Sequence, residues 1–164
     1  APGESPFDHH VFVIAGDGDL QEGVSAEAAS LAGHQELANL VVLYDANQIS
    51  IEDDVDIAFS EDVALRYESY GWHVQTVDFG EADGYTEDVD TLLGAISSAK
   101  SETARPSLIV IKTIIGWPSP TKQNTGKIHG SALGADELKA LKTELGMDPD
   151  STFVVPPHVL EHTR

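Results

Sequence analysis

The sequence has no cysteine, which excludes a disulfide scaffold and a thiolate-bound metal, and fits a cytoplasmic protein. Basic residues are scarce: nine Lys and Arg stand against 28 Asp and Glu, a formal charge of −19. Such a surface repels phosphate backbones, which argues against DNA or RNA as a partner. Long apolar runs are missing as well. The longest, such as residues 40–44 and 108–111, are far too short to cross a membrane. The opening Ala1-Pro2-Gly3-Glu4-Ser5-Pro6 is polar and proline-rich, unlike a signal peptide. Internal repeats and low-complexity tracts are absent. The acidity has a local consequence: a phosphorylated ligand would need a metal ion and a helix amino-terminus, since there is no basic patch to hold it.

The 164 residues, 41% of them hydrophobic, suffice for one domain with a core. Strand-like and helix-like patterns alternate. Residues 11–15, 40–44, 72–77 and 107–111 read as strands, the first two of them as buried. Residues 22–37 read as a helix with Val24, Ala28, Leu31 and Ala32 on its apolar face. Further helices are expected over 60–70, with Ser60 as cap and Gly71 as stop, and over 88–100. A last helix over 135–146 would place Leu138, Leu141 and Leu145 at helical spacing. Residues 47–59 read as a loop with a short extended piece, and 116–134 as a long loop bearing glycine and proline. This order predicts an α/β fold, a parallel sheet with helices on both faces. A lead-in over 1–10, a binding domain over 11–147 and an exit linker over 148–164 complete the expected layout. The chain starts at Ala1 without methionine, in what reads as mid-loop. A removed initiator or tag would explain that start, but a piece of a longer polypeptide is the preferred expectation.

Parallel sheets bind ligands beyond the carboxyl ends of their strands. After the first strand comes Gly16-Asp17-Gly18-Asp19. Two glycines would let the backbone turn and approach a ligand, a following helix amino-terminus suits a diphosphate, and Asp17 offers an oxygen to a hard cation. An ordinary strand-to-helix turn is the plain alternative. A dinucleotide fingerprint fails because Gln21 stands where its last glycine belongs. A calcium-binding EF-hand loop fails because Ala28 stands where its glutamate belongs. After the second strand comes Tyr44-Asp45-Ala46-Asn47, with Asn47 lying 30 residues beyond Asp17. If the strands are neighbours, a carboxylate, a side-chain amide and a backbone carbonyl could give a cation three oxygens, with diphosphate and water completing an octahedron. Asn47 as a simple turn residue is the alternative. His9, His10 and the acidic run of Glu52, Asp53, Asp54 and Asp56 read as solvated surface.

Gly-Asp-Gly followed some thirty residues later by asparagine is similar to the thiamine-diphosphate signature. Longer stretches resemble the transketolase family: 16–23, 28–33, 44–47 with 49–51, 66–72, 112–116 and His129-Gly130. The resemblance runs from about Phe7 to the end and implies ketol transfer between sugar phosphates. It implies that Asp17, Asn47 and the carbonyl of Ile49 bind Mg2+ or Ca2+, that Gly18 and Asn47 meet the diphosphate, and that Ile51 packs on the thiazolium ring. A strand-core role for Ile51 would be compatible with that.

The resemblance further implies that His129 is catalytic, touching the cofactor and facing the reacting carbon and the substrate. Gly126-Lys127-Ile128 occupies the place where the family commonly has another histidine. Glu22 and Glu27 match glutamates that meet the partner subunit near the cofactor, although both also suit a helix start. The glutamate that activates the cofactor belongs to a pyrimidine-binding domain of the second subunit in a homodimer, outside these residues. Alternatives are a related thiamine-diphosphate enzyme, of dihydroxyacetone synthase or deoxyxylulose-phosphate synthase type, and a non-catalytic magnesium-diphosphate or partner-binding domain.

Overall fold

The computed structural model describes residues 5–51, 54–80 and 84–164. Residues 1–4 of the lead-in, Glu52 and Asp53 of the acidic run, and 81–83 of the loop after the third strand lie outside the described residues. Strand β1 (Val11–Gly16) runs into the short helix α1 (Asp17–Gln21) and then α2 (Gly23–His34). Strand β2 (Leu40–Ala46), a 3-10 turn at Val55–Ile57, and helix α3 (Val63–Ser69) follow. Then come β3 (His73–Asp78), α4 (Val89–Ser101) and β4 (Ser107–Lys112). A 3-10 turn at Gly126–Ile128 and helices α5 (Ala135–Glu144) and α6 (Pro157–His162) close the chain.

All four strands are parallel, in the order β1-β2-β4-β3. Because β4 inserts between β2 and β3, the last crossover runs back against the first two. Right-handed crossovers then put α2 and α3 on one face and α4 on the other. Two cores result. On the first face Ala29, Ala32, Val63 and Tyr67 pack on Val42, Tyr44, Leu108 and Val110. On the second, Ala99 packs on Val41, Val77, Ile109 and Ile111. Leu108 and Ile109 are both fully buried; as neighbours on a strand they serve opposite faces. Burying each contributes about 1.5–3 kcal/mol.

Several expectations need correction. Among the described residues strand β1 is the sheet edge, paired on one side only: Ala15 is buried in the first core, but Val11, Phe12, Val13 and Ile14 remain exposed, Ile14 at 81%. The helix after it does not begin at Glu22. Glu22 adopts extended geometry between α1 and α2. Within α2, Val24, Ala28 and Leu31 face outward, while Ala29 and Ala32 face the sheet. These small residues let Trp72 slide beneath the helix, where its indole N–H donates to the Ala29 carbonyl at 2.8 Å.

Asp62, not Ser60, caps α3; its carboxylate accepts the Leu65 N–H at 3.0 Å. Gly71 does stop that helix, at φ +86°. Leu138 and Leu145 keep their helical spacing on α5 and its cap but stay exposed. The tail expected as a linker contains α6, and before it Lys139 reaches Asp150 at 2.6 Å.

Candidate functional site: a carboxylate and an amide at adjacent strand ends

The registers of β1 with β2 and of β2 with β4 place the ends of these strands side by side. Asp17, the first residue after β1, is only 2% exposed. Its Oδ1 accepts the Tyr44 hydroxyl at 2.6 Å and the Gln48 side-chain amide at 3.4 Å. Its Oδ2 accepts the Gln48 backbone N–H at 3.0 Å. Burial pushes the Asp17 carboxyl above its usual range, the bonds from Tyr44 and the backbone amides pull it back, and nearby Asp45 adds a further upward push. Burial, and then the bond to Asp17, pushes the Tyr44 phenol up, so it stays protonated as a donor. The hydrogen-bond donors to Asp17, a phenol, backbone amides and a side-chain amide, are neutral. A buried carboxylate held this way carries a charge that its surroundings penalise, and a divalent cation would relieve it.

Asn47 donates its amide N–H to Asp45 Oδ2 at 3.2 Å and accepts the Ile49 N–H on Oδ1 at 3.0 Å. Between these two residues Gln48 takes a left-handed conformation, φ +62°, at a cost of about 1–2 kcal/mol for a residue with a Cβ. That turn aims both Gln48 donors back at Asp17. Ile49 is buried and bridges to Asp54. Gln48 thus joins the Asp17 and Asn47–Ile49 segments. Sequence reading passed over it, and only its place between two expected ligands could have marked it.

Gly16 and Gly18 do not owe their identity to a sharp turn, since neither has positive φ. A Cβ on Gly18 would meet Ser50 Oγ at 3.9 Å, an ordinary contact. What Gly18 leaves is an open approach facing the 48–51 segment. Ile51 is 74% exposed, so the strand-core reading of it is wrong. Glu22 and Glu27 are exposed on the α2 side, and Glu22 makes no side-chain cap. His129 is exposed on the loop before α5, its N–H donating to the Gly126 carbonyl at 3.1 Å. The structure does not bring its ring against Asp17 or Asn47.

Beside the pair opens a cleft of about 930 Å³ lined by Asn47, Gln48, Thr113 and Asn124. Its lining carries Asp54, Asp56, Glu61 and Asp62 against Lys112, which already pairs with Asp78 at 2.7 Å. Asp17 lies behind this cleft, reached through Tyr44 and Gln48. Among the described residues no cluster of three or more His, Cys, Asp or Glu side chains could hold a metal alone. A hard cation here would take one carboxylate plus amide and carbonyl oxygens, a donor set that fits Mg2+ or Ca2+ and leaves room for ligand oxygens. Asp17, Asn47 and Ile49 fit that role.

Fold and site together define a parallel α/β domain with a carboxylate and a side-chain amide gathered at adjacent strand ends. The family described as transketolase, thiamine diphosphate binding domain, matches residues 1–164. The chain belongs to the transketolase family. Among its relatives is a transketolase of Mycobacterium leprae, 56% identical over 163 residues, covering 99% of this chain and 22% of the relative. A solved transketolase from Campylobacter jejuni superposes with a TM-score of 0.85 at 39% identity, covering 94% of this chain and 23% of that one. A Pichia stipitis transketolase solved with sedoheptulose-7-phosphate gives 0.84 at 44% identity, covering 93% and 22%. The chain thus spans about 22% of the length of the curated relatives it matches. No helix among the described residues is long and apolar enough to cross a membrane.

Proposed function

We propose that this chain is the diphosphate-binding part of a transketolase, which transfers a two-carbon ketol unit from a ketose phosphate to an aldose phosphate. The observation that carries the reading is the junction of Asp17 with Gln48 beside Asn47, on a chain of this family. The Pichia stipitis relatives solved with xylulose-5-phosphate, fructose-6-phosphate and sedoheptulose-7-phosphate support sugar phosphates as substrates. Thiamine diphosphate, when bound, supplies the covalent chemistry of ketol transfer. Asp17, the Asn47 amide oxygen and the Ile49 carbonyl would hold Mg2+ or Ca2+, with Gly18 and Asn47 against the diphosphate. Ile51, apolar and exposed, would cover the thiazolium ring.

His129 would face the reacting carbon and the substrate. Glu22 and Glu27 face the second subunit of a cytoplasmic homodimer, whose pyrimidine-binding domain supplies the activating glutamate. By itself the chain would be catalytically silent, since the activating glutamate comes from that other domain.

The test is Asp17→Ala in a full-length transketolase carrying this sequence. Removing the one charged ligand should abolish metal-dependent binding of thiamine diphosphate, measured by fluorescence or calorimetric titration. Unchanged affinity and unchanged metal dependence would reject the assignment.

A further inference from the structure

Behind the two side chains assigned to the cation stand two consecutive residues of β2 that take no part in the reading above. Tyr44 and Asp45 point to opposite faces of the sheet, as neighbours on a strand do, and each grips a different ligand. The Tyr44 ring is buried in the first core at 3% exposure, and its hydroxyl donates to Asp17 Oδ1 at 2.6 Å. Asp45 accepts the Asn47 amide N–H on Oδ2 at 3.2 Å. Its Oδ1 accepts the hydroxyl of Thr113, from the loop after β4.

The consequence for Asn47 follows from donor and acceptor chemistry. An ionised carboxylate only accepts, so the amide nitrogen faces Asp45 and the amide oxygen is turned away from it. That oxygen accepts one N–H, from Ile49, and keeps a second lone pair. The opposite flip would set two acceptor oxygens against each other with no hydrogen between them. Thr113 braces Asp45 from β4, so the amide is oriented by two strands at once. Tyr44 does the corresponding work for Asp17: its hydroxyl is the closer donor on Oδ1, at 2.6 Å against 3.4 Å for the Gln48 side-chain amide, and with the Gln48 N–H on Oδ2 it fixes the carboxylate plane.

We propose that Tyr44 and Asp45 are positioning residues of the cation site, Tyr44 fixing the Asp17 carboxylate and Asp45 fixing the Asn47 amide with its oxygen toward the ion. This rests on the assignment of Asp17 and Asn47 to the metal. Groups behind metal ligands typically change metal affinity about 10–100-fold when removed.

The experiment compares Tyr44→Phe, Asp45→Ala, Asp45→Asn and Asp17→Ala in a full-length transketolase carrying this sequence. Mg2+ is titrated at saturating thiamine diphosphate with tryptophan fluorescence as readout, and kcat is measured at saturating Mg2+. Tyr44→Phe and Asp45→Ala should weaken Mg2+ about 10–100-fold, with kcat restored at saturating Mg2+. Asp45→Asn, whose carbonyl can still accept the Asn47 amide, should recover most of the affinity. If Asp45→Ala does not fold, Thr113→Val tests the same brace and should weaken Mg2+ in the same direction. Wild-type Mg2+ affinity in Tyr44→Phe and Asp45→Ala, or in Tyr44→Phe and Thr113→Val, would overturn the proposal while the cation reading stands, provided Asp17→Ala has lost Mg2+ dependence. If Asp17→Ala also binds normally, the cation reading itself falls and the proposal with it.

Discussion

Asp17 and His129 sit in opposite kinds of surroundings. Asp17 is nearly sealed at the end of a strand, its carboxylate held by a core tyrosine and by both donors of Gln48. His129 stands exposed on a loop, and the contacts that fasten that loop are made by other residues, its neighbour Ile128 among them. Ser119 and Thr121 bond to Glu137 on α5, while Ile128 presses against Gly116. A residue that holds an ion gains from a rigid frame built before the ligand arrives. A residue that meets changing substrates gains from access, and a loop on a firm scaffold supplies it. Binding and turnover should therefore fail separately when each region is damaged.

The strongest test of that separation is His129→Ala in a full-length transketolase carrying this sequence. Turnover should fall by about 10²–10⁴-fold, the usual contribution of an acid–base or positioning group. The melting temperature should stay at its wild-type value, and metal-dependent cofactor affinity should fall far less than in Asp17→Ala. Steady-state kinetics paired with cofactor titration decides it; an equal loss of cofactor affinity in His129→Ala would erase the contrast.

A smaller effect is expected from Gly116→Ala, which strikes the loop without touching the histidine. Gly116 has φ +70°, and a Cβ there would sit 2.0 Å from Ile128 Cδ1. The left-handed conformation costs a residue with a Cβ about 1–2 kcal/mol, and Ile128 would have to shift as well. Denaturant unfolding should show a loss of about that size, with turnover lowered and cation affinity unchanged. If cation affinity falls alongside, loop and strand ends are coupled more tightly than their contacts indicate.

The same contrast governs what could be read before the fold was known. The strands were legible because short β-branched runs admit few other structures, and Asp17 and Asn47 because adjacent parallel strands bring such residues to one edge. The buried face of α2 was not legible: the small residues Ala29 and Ala32, which leave room for Trp72, face the sheet, and the larger Val24 and Leu31 face outward. Asp62 outcompeted Ser60 as a cap because its carboxylate could reach Leu65 N–H. Gln48 escaped notice because its role depends on a left-handed backbone that no side-chain pattern announces. The alternative strand-core role for Ile51 fails because apolar character alone cannot say which side of a surface turn a residue occupies.

The least disruptive test concerns the clamp that fastens the histidine's loop. Glu137 accepts the Thr121 N–H at 2.9 Å and the Thr121 hydroxyl at 2.6 Å, as well as the Ser119 hydroxyl. Those bonds, Ser119 first, hold its carboxyl down at about 2, below the ordinary 4.5. A carboxyl depressed on folding adds stability that is fully present above its unfolded value and fades as pH falls through the folded one. Glu137→Gln keeps the shape and removes the charge. The variant should melt slightly below wild type at neutral pH, and the gap should close as pH drops from 4.5 through about 2. Paired melting curves over that range check it. A gap that stays constant with pH would mean that the clamp works through shape and hydrogen bonding, with no contribution from the ionised carboxylate.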